Sequence, residues 1–140
     1  MPPSKSAKTD SPPALRRLAE ETCTLYNIAC SFKEGGAPQN LASDEMVHLY
    51  HIAQEAINNA TRHGHATEIE IALTPEQLTI TDNGRGFDPS QITPGAGLRI
   101  MRHRATRLGA KFAPSSNPGK TQIKITLPSA NYPRIVIGWA

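Results

Sequence analysis

The side chains best placed to do chemistry fall in three short stretches. In the first, Glu55, Asn59 and Arg62 recur at about one helical turn, so a carboxylate, a carboxamide and a guanidinium share one helix face with His48 and His51. A solvated face usually carries Lys and Glu in i,i+4 pairs, and Asn58-Asn59 in mid-helix is a poor propensity choice. That local conflict favours a functional face. In the second stretch, Thr81-Asp82-Asn83-Gly84-Arg85-Gly86-Phe87, one acid ends an alternating run and two glycines follow at alternate positions. A fixed carboxylate accepts a hydrogen bond from an exocyclic amine, and backbone without side chains lets a ligand come close, which suits a purine. The same Asn83-Gly84 pair also reads as the turn of a β-hairpin. In the third, Gly95-Ala96-Gly97 opens a helix whose first N–H groups are free to meet phosphate oxygens. Arg99, Arg102, Arg104 and Arg107 on that helix would steer an anion or simply form a solvated basic face.

The elements that must hold these residues are legible in order. Residues 1–13, with four prolines and almost nothing apolar, read as a disordered tail or linker. A short helix is expected from Pro13 to Thr24, with Leu15, Leu18 and Ala19 on one face. A strand over Asn27 to Phe32 follows, broken by Gly35-Gly36-Ala37-Pro38. Ser43 is the expected cap of the long helix, with Asp44 and Glu45 complementing its positive end. Met46, Leu49, Ala53, Ala56, Ile57 and Ala60 form its apolar arc as far as Arg62. Thr67 to Leu73 and Leu78 to Thr81 then alternate around a turn at Thr74-Pro75-Glu76-Gln77 and lead into Asp82. Phe87 to Ala96, with two prolines between glycines, reads as a loop able to move as a lid or as ordinary surface. Gly97 to Leu108 is the second long helix, with Leu98, Met101, Ala105 and Leu108 as its stripe and Gly109 as its stop. Lys111–Ala113 and Thr121–Leu127 close the sheet. Residues 129–140 read as a C-terminal tail or edge strand.

Composition bounds the function. At 140 residues the chain makes one domain with a real core. The net charge of +3 is mild and aromatics are only 5%, so nucleic acid is not an expected partner. Cys23 and Cys30, seven apart, lack metal-type spacing and read as free thiols of a reducing compartment. Neither a membrane span nor a signal-peptide core is present, so a cytoplasmic location without membrane contact is expected.

The run His51-Ile52-Ala53-Gln54-Glu55-Ala56-Ile57-Asn58-Asn59-Ala60-Thr61-Arg62-His63 resembles the N-box of the Bergerat-fold ATPases, the superfamily of sensor histidine kinases, gyrase, MutL and heat-shock chaperones. Asp82-Asn83-Gly84-Arg85-Gly86-Phe87 resembles their first glycine box and Gly95-Ala96-Gly97-Leu98-Arg99-Ile100-Met101 the second. Pro118-Gly119-Lys120-Thr121 is similar to their closing glycine-threonine element. The wording of Leu49–Ala56 and of Met101-Arg102-His103-Arg104-Ala105 is nearest to kinases of the nitrate/nitrite-sensor type.

The resemblance, covering Leu15 to Pro128, implies an α/β fold: a two-layer sandwich in which a mixed sheet is covered on one face by helices, with residues 14–128 as the ATPase-like domain. It implies ATP and Mg²⁺ as ligands. Asp82 would receive the adenine amine, Asn59 would offer its amide oxygen to Mg²⁺, and Glu55 would orient or deprotonate the nucleophile. Arg62 and His63 would reach phosphates or ribose. Gly84, Gly86, Gly95 and Gly97 would frame the lid, Leu98 would line the site, and Thr121 would lie near adenine. The implied reaction moves the γ-phosphoryl to a histidine on a dimerisation domain, and from there to a response regulator. None of His48, His51, His63, His65 or His103 stands in the family's His-Asp acceptor context, so the domain alone is expected to be monomeric and not self-sufficient. Two other expectations share the fold: an anti-sigma-type serine kinase or binding module, and a nucleotide-binding domain without transfer activity.

Overall fold

The computed structural model describes residues 11–38, 41–86 and 96–128. Helix α1 (Ser11–Tyr26) leads into strand β1 (Ala29–Glu34), and helix α2 (Ser43–Asn58) continues directly as a five-residue π-helical segment (Asn59–His63). Strands β2 (Glu68–Leu73) and β3 (Gln77–Asp82) precede helix α3 (Ala96–Arg107), and β4 (Lys111–Asn117) and β5 (Lys120–Thr126) close the sheet. The five strands lie in the order β1-β2-β3-β5-β4. β1 and β2 are parallel, joined across α2, and every other pair is antiparallel.

Alternation along the strands explains the layering. Ile69, Ile71 and Leu73 of β2, Leu78, Ile80 and Asp82 of β3, and Thr121, Ile123 and Ile125 of β5 are all buried. Their neighbours Glu68, Glu70, Thr79, Thr81, Gln122 and Lys124 belong to the opposite, open face. Three helices cover the first face, α1 packing on β1 and α2, and α2 on α3. Leu15, Leu49, Ile52, Met101 and Leu108 are fully buried in that interface. Each such side chain contributes about 1.5–3 kcal/mol of apolar burial.

Several boundaries differ from expectation for local reasons. Helix α1 begins at Ser11 and ends at Tyr26, and Asn27, at φ 54°, turns the chain, so β1 starts at Ala29 and runs to Glu34. Asn tolerates this left-handed conformation better than most residues. Ile28, Cys30 and Phe32 still face the core. Ser43 is not the cap of α2. Ala42 takes that position, and its N–H donates to Glu45 Oε1 at 2.9 Å. Ile52, which the apolar arc leaves out, is fully buried.

β4 runs four residues beyond Ala113, through Pro114, because it is the sheet edge and a proline there forfeits no ladder bond. Thr74 turns β2 into β3, its hydroxyl accepting the N–H groups of Glu76 and Gln77 at 3.2 and 3.1 Å. At the end of α3, Gly109 at φ 71° closes the helix, with Gly109 N–H on Thr106 O and Ala110 N–H on Ala105 O at 3.0 and 2.9 Å.

Candidate functional site

Asp82 is the last residue of β3. It sits in a single row across the sheet, opposite Ile69 of β2 and Thr121 of β5. Only 7% exposed, its carboxylate accepts the Gly84 N–H on Oδ1 at 2.8 Å, which leaves Oδ2 outside that bond. Burial pushes the Asp82 carboxyl above its usual range, and the Gly84 N–H pulls the other way.

Asn83-Gly84 is not a hairpin turn. Both neighbours of β3 are reached by other connections, β2 through Thr74 and β5 from β4. Asn83 instead latches the chain to the start of β2. Its Oδ1 accepts the N–H groups of Thr67 and Glu68 at 2.9 and 3.0 Å, and its Nδ2 donates to Thr67 Oγ1 at 2.9 Å. The two glycines are required by close approach. A Cβ on Gly84 would lie 2.7 Å from the Gly64 carbonyl oxygen, which also accepts the Arg85 N–H at 2.8 Å. Gly86, at φ 76°, holds a conformation that L side chains rarely adopt, and a Cβ there would overlap the Ser116 and Thr121 hydroxyls. Those two hydroxyls are themselves 3.0 Å apart.

On the helical side, the switch from α to π geometry falls at Asn59. The Asn59 N–H is shared between the carbonyls of Ala56 and Glu55, and the Gly64 N–H reaches back five residues to Asn59 O at 2.9 Å. Such wide turns recur at functional sites. The switch coincides with Asn58-Asn59, the pair that is a poor propensity choice in mid-helix. Glu55 and Asn59, both half-buried, meet the first turn of α3. A Cβ on Gly97 would lie 2.9 Å from both the Nδ2 and the Oδ1 of Asn59, and 3.1 Å from Glu55 Oε2.

Two clusters result: Asp82, Gly84, Gly86 and Thr121 at the sheet end, and Glu55, Asn59 and Gly97 between α2 and α3. Gly64, which the sequence did not single out, links them, since it follows the π segment and receives the first glycine turn. Leu98 is half-buried against the core. Arg62 and His63 lie exposed on the π segment, and among the described residues no hydrogen bond or ion pair joins them to either cluster. Gly95 and all of the Phe87–Ala96 lid expectation except Ala96 fall outside the described residues.

A magnesium ion fits the donor chemistry. The Asn59 carboxamide and Glu55 carboxylate present hard oxygens side by side, and among the described residues no group of three or more His, Cys, Asp or Glu forms an all-protein metal cage. Mg²⁺ is typically held by one or two side-chain oxygens together with substrate phosphates and water.

Residues 44–131 match the family of histidine kinase-, DNA gyrase B- and HSP90-like ATPases. The chain belongs to this family. Among curated relatives, the sensor protein VraS of Staphylococcus haemolyticus is 39% identical over 87 residues, covering 58% of this chain and 25% of that protein. VraS of Staphylococcus aureus is 38% identical over the same length and coverage. The chain thus spans about a quarter of these relatives.

The histidine kinase domain of the Erythrobacter litoralis EL346 blue-light activated kinase superposes with TM-score 0.64 at 21% identity, over 80% of this chain and 61% of that one. The ATP-binding domain of PrrB from Mycobacterium tuberculosis gives 0.61 at 21% identity, over 82% and 92%. These place the mixed sheet and its helices in the fold of the histidine kinase ATPases. Among the described residues no helix is long and apolar enough to cross a membrane.

Proposed function

We propose that this chain is the ATP-binding catalytic domain of a two-component sensor histidine kinase, related to the nitrate/nitrite-sensor type, acting in the cytoplasm. One observation carries the reading: Gly97 lies against Glu55 and Asn59, so the second glycine element meets the N-box face. In an ATPase of this family, that contact brings a helix N-terminus, a metal-binding carboxamide and a carboxylate to one place. Asp82 binds the adenine amine through Oδ2, its other oxygen being committed to Gly84. Thr121, its register partner, flanks the base. Gly84, Gly86 and Gly95 let the backbone close over the nucleotide, Leu98 borders it, and Arg62 and His63 reach its phosphates or ribose from the exposed end of the π segment.

Asn59 would hold Mg²⁺, which when bound would supply charge neutralisation at the phosphates. The first N–H groups of α3, freed of side-chain crowding at Gly97, donate to phosphate oxygens. An imidazole nitrogen of the acceptor histidine attacks the γ-phosphorus, the bond to the ADP oxygen breaks, and the Glu55 carboxylate takes the imidazole proton. The acceptor belongs to a dimerisation domain supplied by another segment or chain, which then passes the group to a response regulator. The family description, which names histidine kinases, together with sensor proteins among the relatives, supports histidine over serine as acceptor.

The test is transfer in trans. The 140-residue chain, monomeric and unlabelled when incubated alone with radiolabelled Mg-ATP, should label a purified dimerisation hairpin from a sensor histidine kinase in an acid-labile, histidine-linked form. Glu55→Ala should remove most of that label. Acid-stable label on serine, or nucleotide binding with no transfer to any hairpin tried, would refute the histidine-kinase assignment.

A further inference from the structure

Cys23, in the last turns of α1, and Cys30, in β1, are brought together by the tight connection at Asn27. The Cys23 thiol donates to Cys30 O at 3.1 Å, and the Cys30 N–H donates to Cys23 Sγ at 3.3 Å. Because N and Cα are joined by a bond of about 1.46 Å, Cys23 Sγ lies within about 5 Å of Cys30 Cα. The Cys30 side chain shares the β1 face that packs on the core and towards α1. The Cys23 sulfur thus sits beside the Cys30 backbone, and closing a disulfide, with its Cα separation of about 4.4–6.8 Å, asks for side-chain rotation at the two cysteines. Both sulfurs are free and only half-buried, so a small oxidant can reach them.

We propose that Cys23 and Cys30 form a reversible modification site, closing an intramolecular disulfide under two-electron oxidants such as hydrogen peroxide. Cys23 is the residue attacked first. Cys30 is the slower of the two to react, because burial and the neighbouring Cys23 push its thiol up to about 11. Cys23–SH and H₂O₂ give the sulfenic acid and water; Cys30–SH then condenses with it, forming the S–S bond and releasing a second water. The bridge would tie the end of α1 to β1. Cys30 also stands in the sheet row that runs through Ile69 and Asp82 to Thr121, so the modified residue lies two strands from the acid of the candidate site.

The experiment treats the whole chain with a small excess of hydrogen peroxide, quenches with catalase, and adds N-ethylmaleimide under denaturing conditions before intact-mass analysis and a non-reducing gel. The expected product is a monomer lighter by two hydrogens, carrying no maleimide, with both adducts recovered after dithiothreitol. Cys23→Ser and Cys30→Ser should each abolish the two-hydrogen loss. The proposal is overturned by two maleimide adducts after oxidation, by oxygen gain on either sulfur without bridging, or by a disulfide-linked dimer as the main product.

Discussion

Gly97 of α3 packs directly on the Asn59 carboxamide at the start of the π segment, close enough that a Cβ would lie 2.9 Å from its oxygen and its nitrogen. The consequence is a separation of stability from function. Gly97→Ala should gain about 1 kcal/mol of helix propensity and lose about 1–3 kcal/mol to overpacking, so the fold survives. The displaced Asn59 and Glu55 side chains should nevertheless lower Mg-ATP affinity by about tenfold, equivalent to about 1.4 kcal/mol. Calorimetry with unchanged affinity and an unchanged melting midpoint would contradict this placement of Gly97.

Asn59→Ala should act through the metal. ATP should bind more weakly in the presence of Mg²⁺, with little change when the metal is chelated. Titrations with and without EDTA distinguish this from a general loss of the site, in which both affinities would fall together.

Asp82 makes a prediction of opposite sign for stability. Its carboxyl is raised by burial, so the folded state disfavours the charge, and the stability cost is present above the raised folded value and relieved as pH falls through it. Asp82→Asn keeps an acceptor for the Gly84 N–H and removes the buried charge. At pH 7 the variant should melt no lower than the parent, and above it if the charge dominates, while binding ATP poorly. A clearly lower melting midpoint would show that the charge stabilises the fold.

The α2–α3 interface carries a pH-dependent contact. Arg104 Nη1 lies 3.1 Å from His48 Nδ1, so the ring must accept and be unprotonated there. Burial lowers the His48 value, as do the charges of Arg104, Arg107 and His51, with Asp44 opposing. A histidine depressed in the folded state contributes stability that is complete above the unfolded value of 6.5 and is lost as pH falls from there through the lower folded value. His48→Gln should flatten the melting-midpoint profile below pH 6.5 relative to the parent. An equally steep profile in both proteins would assign the pH sensitivity elsewhere.

What the sequence disclosed and what it hid follow from how local each signal is. Alternation in Glu68–Leu73 and helical spacing in Ser43–Asn58 are local, and both elements formed where their patterns lie. The cap of α2 is Ala42 and not Ser43 because Glu45 reaches back three residues to the cap N–H, which any residue type offers. β4 continues past Ala113 although Pro114 counts against a strand in the sequence, because the strand is at the edge, which only the sheet order reveals. At the site, residue types marked Glu55, Asn59, Asp82 and the glycines. Gly64 and Ser116 escaped because their roles are contacts between segments far apart in sequence, Gly64 with Gly84 and Arg85, and Ser116 with Gly86. The hairpin reading of Asn83-Gly84 failed for the same reason: the Asn83 side chain is spent on Thr67 and Glu68, sixteen and fifteen residues away.

Selection of adenine by the buried Asp82 carboxylate is the consequence on which the proposed nucleotide site stands or falls. It is tested most directly by titrating Mg-ATP and Mg-GTP separately into the 140-residue chain by calorimetry. Adenine offers Asp82 an amine donor where guanine offers an acceptor oxygen, so ATP should bind more tightly by about 1–3 kcal/mol, the cost of an unsatisfied buried polar group. Asp82→Asn should narrow that gap. Equal affinities for the two nucleotides in the parent chain would contradict the account.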